Sequence, residues 1–286
     1  MWRSLPYLLQ RTLLAAIDDG CFSIAKGAAY SALLSFFPVL TSAATIMVMT
    51  RADFVSATVS RALQTVLPPG TDQIVFDVLA QFRARGQKSI SLLVVALLLA
   101  LWAAASVIKS LLQGFNAAYR IPRSRSFFHE TGVAIGMVFL AAVPLVGASA
   151  LILFGNQAER TLLGVSRLDP MLNPLAGFWQ LLGVIGRYVV ALGATVALTC
   201  ILYYYGPYRR QTWNGVWRGA LLATLFWLGA TKGFASYVRH IAHYNVMYGS
   251  IGGSIALLVW MYLMAAIAIF GCEFNAEFER LSAIEA

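Results

Sequence analysis

Long apolar stretches alternate along the chain with short polar segments, and the last of them is the clearest. The stretch Tyr248–Glu279 contains no Asp, Glu, Lys or Arg before Glu273. An α-helix rises about 1.5 Å per residue, so it needs about 20 residues to cross a hydrocarbon core of about 30 Å. The segment Ser254–Cys272 supplies 19 residues. We therefore predict a membrane-spanning helix here, with the other apolar stretches as its partners.

Five other apolar stretches have the length and low charge of membrane spans. They are Gly27–Thr50, Ser89–Leu112, Thr131–Phe154, Leu175–Tyr205 and Val216–Val238. The predicted fold class is all-α, a polytopic membrane protein with a six-transmembrane-helix bundle. Composition agrees, because only 12% of the residues are charged, against about 25% in soluble domains. Residues 1–286 are therefore expected to form a single integral membrane domain.

Two segments outside the spans have amphipathic spacing. Residues 1–26 form an apolar run that Gln10 and Arg11 interrupt, without the cleavage pattern of a signal peptide. This pattern predicts an amphipathic helix on the membrane face. The spacing of apolar residues in 51–89 predicts two amphipathic helices in the first connection, outside the cytoplasm. Pro68–Gly70 separates them, because two prolines and a glycine stop one helix and turn the chain. Such helices lie in the membrane interface or cap the bundle.

Two cations interrupt the predicted spans. Arg187 lies inside the fourth apolar region: either the helix starts near Gly177 and contains Arg187, or it starts at Tyr188 with Arg187 at the interface. In the fifth region only 13 residues separate Arg218 from Lys232, too few to cross the hydrocarbon core. The Lys232 side chain must extend outward or face the bundle interior. We predict that it faces the interior and holds an anionic group.

Polar and kink-forming residues at membrane depth define a candidate cavity. In the first span Pro38 removes a backbone donor, and Ser35 can satisfy a carbonyl group nearby. This kink either lines a cavity or serves only packing. The full set of candidate cavity and substrate residues is Tyr30, Ser35, Pro38, Lys109, Asn116, Arg187, Lys232, Tyr248, Gly249, Trp260, Glu273 and Asn275. Because three of them are cationic, such a cavity would suit an anionic substrate.

The last span closes on Glu273 and Glu277, one helical turn apart on one face. The macrodipole disfavours negative charge at a helix C-terminus. Either these carboxylates are solvated, or the arginine clusters Arg120–Arg125 and Arg209–Arg210 offset their charge. The same clusters favour a cytoplasmic location for both termini, since basic residues are enriched in short cytoplasmic loops.

Three segments resemble a known family: Ala28–Pro38, Tyr203–Pro207 followed by Arg209–Arg210, and Tyr248–Glu277. They are similar to the YihY/virulence factor BrkB family of bacterial inner-membrane proteins, and the resemblance covers most of the chain. It departs from the family at the tyrosines 203–205, where a more polar residue is expected. The resemblance implies six spans in the inner membrane with cytoplasmic termini. It leaves the activity open, because this family has been labelled ribonuclease BN, virulence factor and transporter.

Motifs for an enzyme are weak. His240 and His243 are three residues apart, but no carboxylate follows closely to complete a metal site. The segment Gly249–Ser254 lacks the lysine of a phosphate-binding loop. We therefore expect no cofactor and no bound metal. The net charge of +9 comes from basic residues scattered beside apolar runs, so membrane lipids are the expected partners and nucleic acid is not.

Two functions from different classes remain. The favoured one is a transporter or lipid-handling protein with an anionic substrate and an internal cavity. The other is a non-transporting membrane scaffold that binds lipids or partner proteins, and a membrane-bound ribonuclease is less well supported. A cavity that encloses Lys232 or Arg187 would support the first function. A solid bundle with both residues at its rim would support the second.

Overall fold

The structure, a computed structural model, describes residues 5–50, 90–122, 126–144, 147, 174–240 and 251–285. All regular elements in these ranges are α-helices, so the predicted all-α class is confirmed. They are α1 (Leu5–Asp18), α2 (Cys21–Thr50), α3 (Ile90–Ala118), α4 (Phe127–Pro144), α5 (Pro174–Tyr205), α6 (Trp213–His240) and α7 (Ile251–Glu285). The predicted amphipathic helices of 51–89 and the candidate residues Tyr248 and Gly249 lie outside the described residues.

A tight turn at Asp19–Gly20 separates α1 from α2. Gly20 has a φ of 68°, a left-handed conformation that glycine adopts without steric cost. Its N–H donates to the Ile17 carbonyl oxygen at 3.1 Å, which closes the C-terminus of α1. The first long helix consequently begins at Cys21 rather than at the predicted Gly27, and the N-terminal amphipathic segment is shorter than predicted.

Helix α7 is central to the bundle. It packs against α1, α2, α3 and α6, while α2 packs on α3 and α5 packs on α6. Residues 271–277 of α7 are all buried, so this segment is enclosed on every side rather than along one face. For the described residues, the prediction that the chain is organised around its last stretch is confirmed.

Two glycines bring α6 and α7 into backbone contact. A Cβ atom at Gly219 would overlap the Gly271 carbonyl oxygen, and one at Gly271 would lie 2.8 Å from the Gly219 carbonyl oxygen. Small residues allow this close approach of helices. The spacing of Gly229 and Gly233 in the sequence predicts a second contact of this kind, but a Cβ at either position would meet nothing within 4 Å. That prediction is wrong, because this part of α6 faces open space.

Five of the described helices are long and apolar enough to cross a membrane. The spans are Cys21–Ser42, Leu93–Ala118, Phe127–Pro144, Ile185–Tyr205 and Gly252–Ala283. Helix α6 has 28 residues, about 42 Å of rise, but it falls outside this apolar group, so a sixth span there stays a prediction. In α5 the helix contains Arg187, and the apolar span starts just before it, at Ile185.

Candidate functional site

One end of the bundle carries a dense set of polar contacts between helices. The α1–α2 turn, the C-termini of α3 and α5, the N-terminus of α6 and the second half of α7 meet there. We call it the polar end and define it as residues 8–28, 112–120, 203–219 and 271–282. The contacts that join its segments include Arg120–Asp19, Tyr208–Asn116, Gly219–Asn275, Cys21–Glu273 and Tyr119–Glu279.

Two carboxylates lie buried at the centre of the polar end. Glu273 is 0% exposed and Glu277 is 2% exposed. Arg280 pairs with Glu277, and its Nη1 lies 3.4 Å from Glu273 Oε1. From α1, Arg11 Nε lies 2.8 Å from Glu277 Oε2, although that oxygen makes no aligned hydrogen bond. The Cys21 thiol donates to Glu273 Oε2 at 3.5 Å.

Arg280 also reaches a third helix. Its Nη2 donates to the Ala118 carbonyl oxygen at 2.6 Å. Ala118 is the last residue of α3, where carbonyl groups have no partner within their own helix. Arg280 and Arg11 therefore share the buried charge of α7, and Arg280 also closes the end of α3. Together the two arginines form a network that joins α1, α3 and α7.

The environment of Glu273 and Glu277 differs from the first of the two predicted alternatives, which left both carboxylates solvated. The carboxylates are not solvated, so that alternative is wrong. Arg209 and Arg120 pair with Glu279 and Asp19, but the pKa of Arg120, raised mainly by Asp19, is also raised by the charges of Glu273 and Glu277. The physical reason for the burial of the two carboxylates is that α7 continues to Glu285. The two glutamates are thus more than a turn from the helix end, where the macrodipole argument does not apply, and Arg280 follows on the same helix. Residues 123–125 of the predicted cluster lie outside the described residues.

Two candidate amides hold neighbouring segments together. Asn275 is fully buried; its Oδ1 accepts from the Gly219 N–H at 2.7 Å and its Nδ2 donates to the Val216 carbonyl oxygen at 3.0 Å. Asn116 Oδ1 accepts from the Tyr208 N–H at 2.8 Å. These bonds fix α6 on α7 and fix the 206–212 connection on α3. Both residues belong to the polar end, and their amides are engaged by backbone groups.

The cationic candidates are not brought together. Lys232 is exposed, so the prediction that it faces the bundle interior is wrong; its long side chain extends from the part of α6 that faces open space. Arg187 Nε donates to the Gly183 carbonyl oxygen at 3.2 Å, within its own helix. Lys109 Nζ lies 4.2 Å from the centre of the Phe127 ring. No cavity common to these three cations is seen in the described part of the chain.

The other candidates in the spans are also separate from one another. Tyr30 is 62% exposed. Ser35 donates to the Ala32 carbonyl oxygen at 2.7 Å, not to the Leu34 carbonyl that Pro38 deprives of its helical donor. Trp260 Nε1 is buried and has no hydrogen-bond partner among the described residues. Within the described part of the chain, these three positions do not come together in one cavity.

An open groove lies between the end of α5 and the start of α6. Its volume is about 580 Å³, and its lining residues are Tyr204, Tyr205, Pro207, Tyr208, Arg209, Arg210 and Gln211. We call it the basic groove. The sequence placed Arg209 and Arg210 on the predicted cytoplasmic side but did not single out Gln211. That residue is 8% exposed, and neither its Nε2 nor its Oε1 makes a hydrogen bond to a described residue.

Tyr119 and Glu279 form the inner support of the basic groove. Arg209 pairs with Glu279 and lies 4.3 Å from the centre of the Tyr119 ring. Burial raises the pKa of the Tyr119 hydroxyl, which stays protonated and donates to Glu279 Oε1 at 3.5 Å. The Gln211 amide is close enough to lower that pKa slightly, but not aligned for a hydrogen bond. The charge of Arg209 is therefore already balanced.

A metal site is not found in the part of the chain that the structure describes. No three His, Cys, Asp or Glu side chains there lie close enough to share an ion. Cys21, Cys200 and Cys272 are buried free thiols. His243 lies outside the described residues, and nothing is described of the His240 side chain.

Comparison with known proteins places the chain among membrane proteins. The profile of a family described as virulence factor BrkB matches residues 12–285. A putative ribonuclease-like protein, YfkH, of Bacillus subtilis is 27% identical over 265 residues, 87% of this chain and 86% of that protein. A UPF0761 membrane protein of Paraburkholderia xenovorans is 25% identical over 276 residues, 94% of this chain but 59% of the relative. No solved structure matches the chain.

Proposed function

This chain belongs to the virulence factor BrkB family of membrane proteins, and we propose that it handles anionic membrane lipids, which it binds at its polar end. The proposal places the protein in the bacterial inner membrane with the polar end in the cytoplasm. Support for that orientation comes from the arginines of the polar end, because basic residues concentrate on cytoplasmic faces. Reporter fusions at Ala286 and near Gly70 test it: the first should report a cytoplasmic location and the second an exported one.

The observation that carries the proposal is a surplus of arginine at the polar end. Asp19, Glu273, Glu277 and Glu279 are all paired with arginine. No described carboxylate pairs with Arg210, or with Arg218, which stacks 4.1 Å from the centre of the Phe278 ring. Beside an anionic membrane surface, each such cation contributes about 1 kcal/mol of attraction. The surplus lies where helices leave the apolar region, which is where lipid headgroups are found.

Two other functions fit the contacts less well. An internal transport pathway for an anion would need the cations of the spans to share a cavity, whereas Lys232 is exposed and Arg187 is bonded within its own helix. The name of the Bacillus relative suggests ribonuclease activity, which needs a free acid–base pair or a metal cluster. The buried carboxylates of the polar end are instead engaged by arginine.

A non-transporting scaffold is the second candidate, and the complete burial of residues 271–277 favours it, because a solid centre holds neighbouring helices in fixed positions. Both candidates require lipid binding, but only a lipid-handling protein moves lipid. Purified protein should therefore retain phosphatidylglycerol in preference to phosphatidylcholine in native mass spectrometry. Reconstituted into vesicles, it should accelerate the movement of a fluorescent anionic lipid between leaflets. Lipid preference without movement would favour the scaffold, and no preference would contradict both.

A further inference from the structure

The Gln211 amide lies near the Tyr119 hydroxyl, but no aligned hydrogen bond in the described part of the fold satisfies it. The residue is 8% exposed, and both polar atoms of its amide lack a hydrogen-bond partner there. Buried polar groups in native proteins are almost always satisfied, so each exception calls for a bound molecule or a functional reason. Gln211 lines the basic groove. A ligand in that groove would therefore be within reach of an amide that offers both a donor and an acceptor.

Arg210 provides the charge of the groove. Its side chain is exposed, lines the groove and has no carboxylate partner among the described residues. The neighbouring Arg209 differs, because Glu279 balances it. The groove therefore has one available guanidinium next to one unsatisfied amide. A guanidinium presents paired N–H donors that match the oxygens of a phosphate group.

The backbone of the groove is fixed before any ligand arrives. The Tyr208 N–H donates to Asn116 Oδ1. A Cβ at Gly206 would overlap the Leu202 carbonyl oxygen and lie 2.7 Å from the Phe115 ring. On the side of α6, Trp213 stacks on Tyr204 at 4.5 Å between ring centres. The arrangement is thus preorganised, which lowers the conformational cost of binding.

We infer that the basic groove binds the phosphate group of a phospholipid headgroup, and that the Arg210 and Gln211 side chains donate hydrogen bonds to it. The inference rests on the proposed function and names the binding site and the chemical group recognised. A volume of about 580 Å³ accommodates a glycerophosphate headgroup, and the aromatic lining matches its apolar carbon atoms. Free phosphate shares the same chemistry, so the test includes it as a separate ligand.

Native mass spectrometry of the full chain in detergent micelles, titrated with phosphatidylglycerol, tests the inference. Arg210→Gln should weaken binding about tenfold, the loss expected for a charged hydrogen bond. Gln211→Leu should weaken it about fivefold while the thermal unfolding midpoint is unchanged or higher, because the apolar side chain removes an unsatisfied amide. Lys232→Gln is the matched control: it removes one positive charge from an exposed position outside both the groove and the polar end.

The outcomes separate this inference from the proposed function. If the wild-type protein prefers phosphatidylglycerol but neither groove variant weakens binding, the groove assignment is wrong and lipid handling survives. If the wild-type protein shows no preference for phosphatidylglycerol over phosphatidylcholine, both are wrong. Competition by inorganic phosphate would support the shared chemistry and identify free phosphate as a ligand; its failure to compete would identify the lipid. Displacement of the lipid by a single-stranded oligonucleotide would overturn the inference in favour of RNA.

Discussion

The polar end contains two charged regions that differ in how completely they are satisfied. In the buried network around Glu273 and Glu277, Arg280 and Arg11 supply the opposite charge, and the Arg280 guanidinium also satisfies a backbone carbonyl. In the basic groove, Arg210 has no carboxylate partner and Gln211 has no aligned hydrogen bond among the described residues. In the first region the protein itself pairs both carboxylates with arginine, although Glu277 Oε2 makes no aligned hydrogen bond, and such internal pairing is what a structural role requires. The second region retains a guanidinium and an amide that can still form hydrogen bonds, which is why we assign it to a ligand.

The strongest test of this contrast removes the cation of the buried network. Arg280→Met should destabilise the protein by about 3 kcal/mol, because two buried carboxylates lose their shared partner. This value is at the low end for a broken buried pair, since the Arg280 side chain is 25% exposed and Arg11 remains near Glu277. The thermal unfolding midpoint in detergent measures the loss. Arg210→Met is the control, and equal losses in the two variants would contradict the contrast.

The glycine contact that positions α6 beside the groove provides a second test. Gly219→Ala should cost about 1–3 kcal/mol, as overpacking does, because the added Cβ would overlap the Gly271 carbonyl oxygen. Gly229→Ala adds the same methyl group to the same helix, where nothing lies within 4 Å. That control should unfold at the wild-type temperature or slightly above it. A similar loss in both alanine variants would show that the backbone contact is absent.

A comparable but more local effect is expected at Asn275. Asn275→Leu removes two hydrogen bonds to the start of α6, each with a typical net contribution of about 0.5–1.5 kcal/mol. Protection of the Gly219 amide from hydrogen exchange should fall, while protection at the opposite end of α6 should not change. Asn275→Asp retains an acceptor for the Gly219 N–H and is the comparison variant. Unchanged protection in Asn275→Leu would argue against this role.

The smallest effect is expected at Lys232. Because its side chain is exposed, Lys232→Met should change stability by less than about 0.5 kcal/mol and should leave phosphatidylglycerol binding unchanged. Both quantities should also be measured for Arg210→Met. The two variants each remove one positive charge from an exposed position, but only Arg210 lies in the groove. A large loss of lipid binding in Lys232→Met would indicate that the lipid-binding site includes Lys232 and lies among the predicted spans.

The fold was more predictable than the site. Long apolar stretches determine helices by length alone, so the all-α bundle and the central position of α7 could be derived from the sequence. The partners of Glu273 could not, because Cys21 is 252 positions away along the chain and such pairings depend on packing. Arg280 was within reach of sequence reasoning, since it follows Glu277 at a spacing of three. It was missed because the predicted helix stopped at Glu279 and made the carboxylates a helix end.

The burial of residues 271–277 also has a consequence for biosynthesis. Helix α7 is the last of the described helices to leave the ribosome, yet it is the common partner of α1, α2, α3 and α6. The earlier helices therefore enter the membrane before Arg11 can meet Glu277 and before α3 has its closing arginine. Assembly of the polar end is a late step that follows translation of α7. An interruption of synthesis before α7 would therefore leave α1, α2, α3 and α6 without their shared contact.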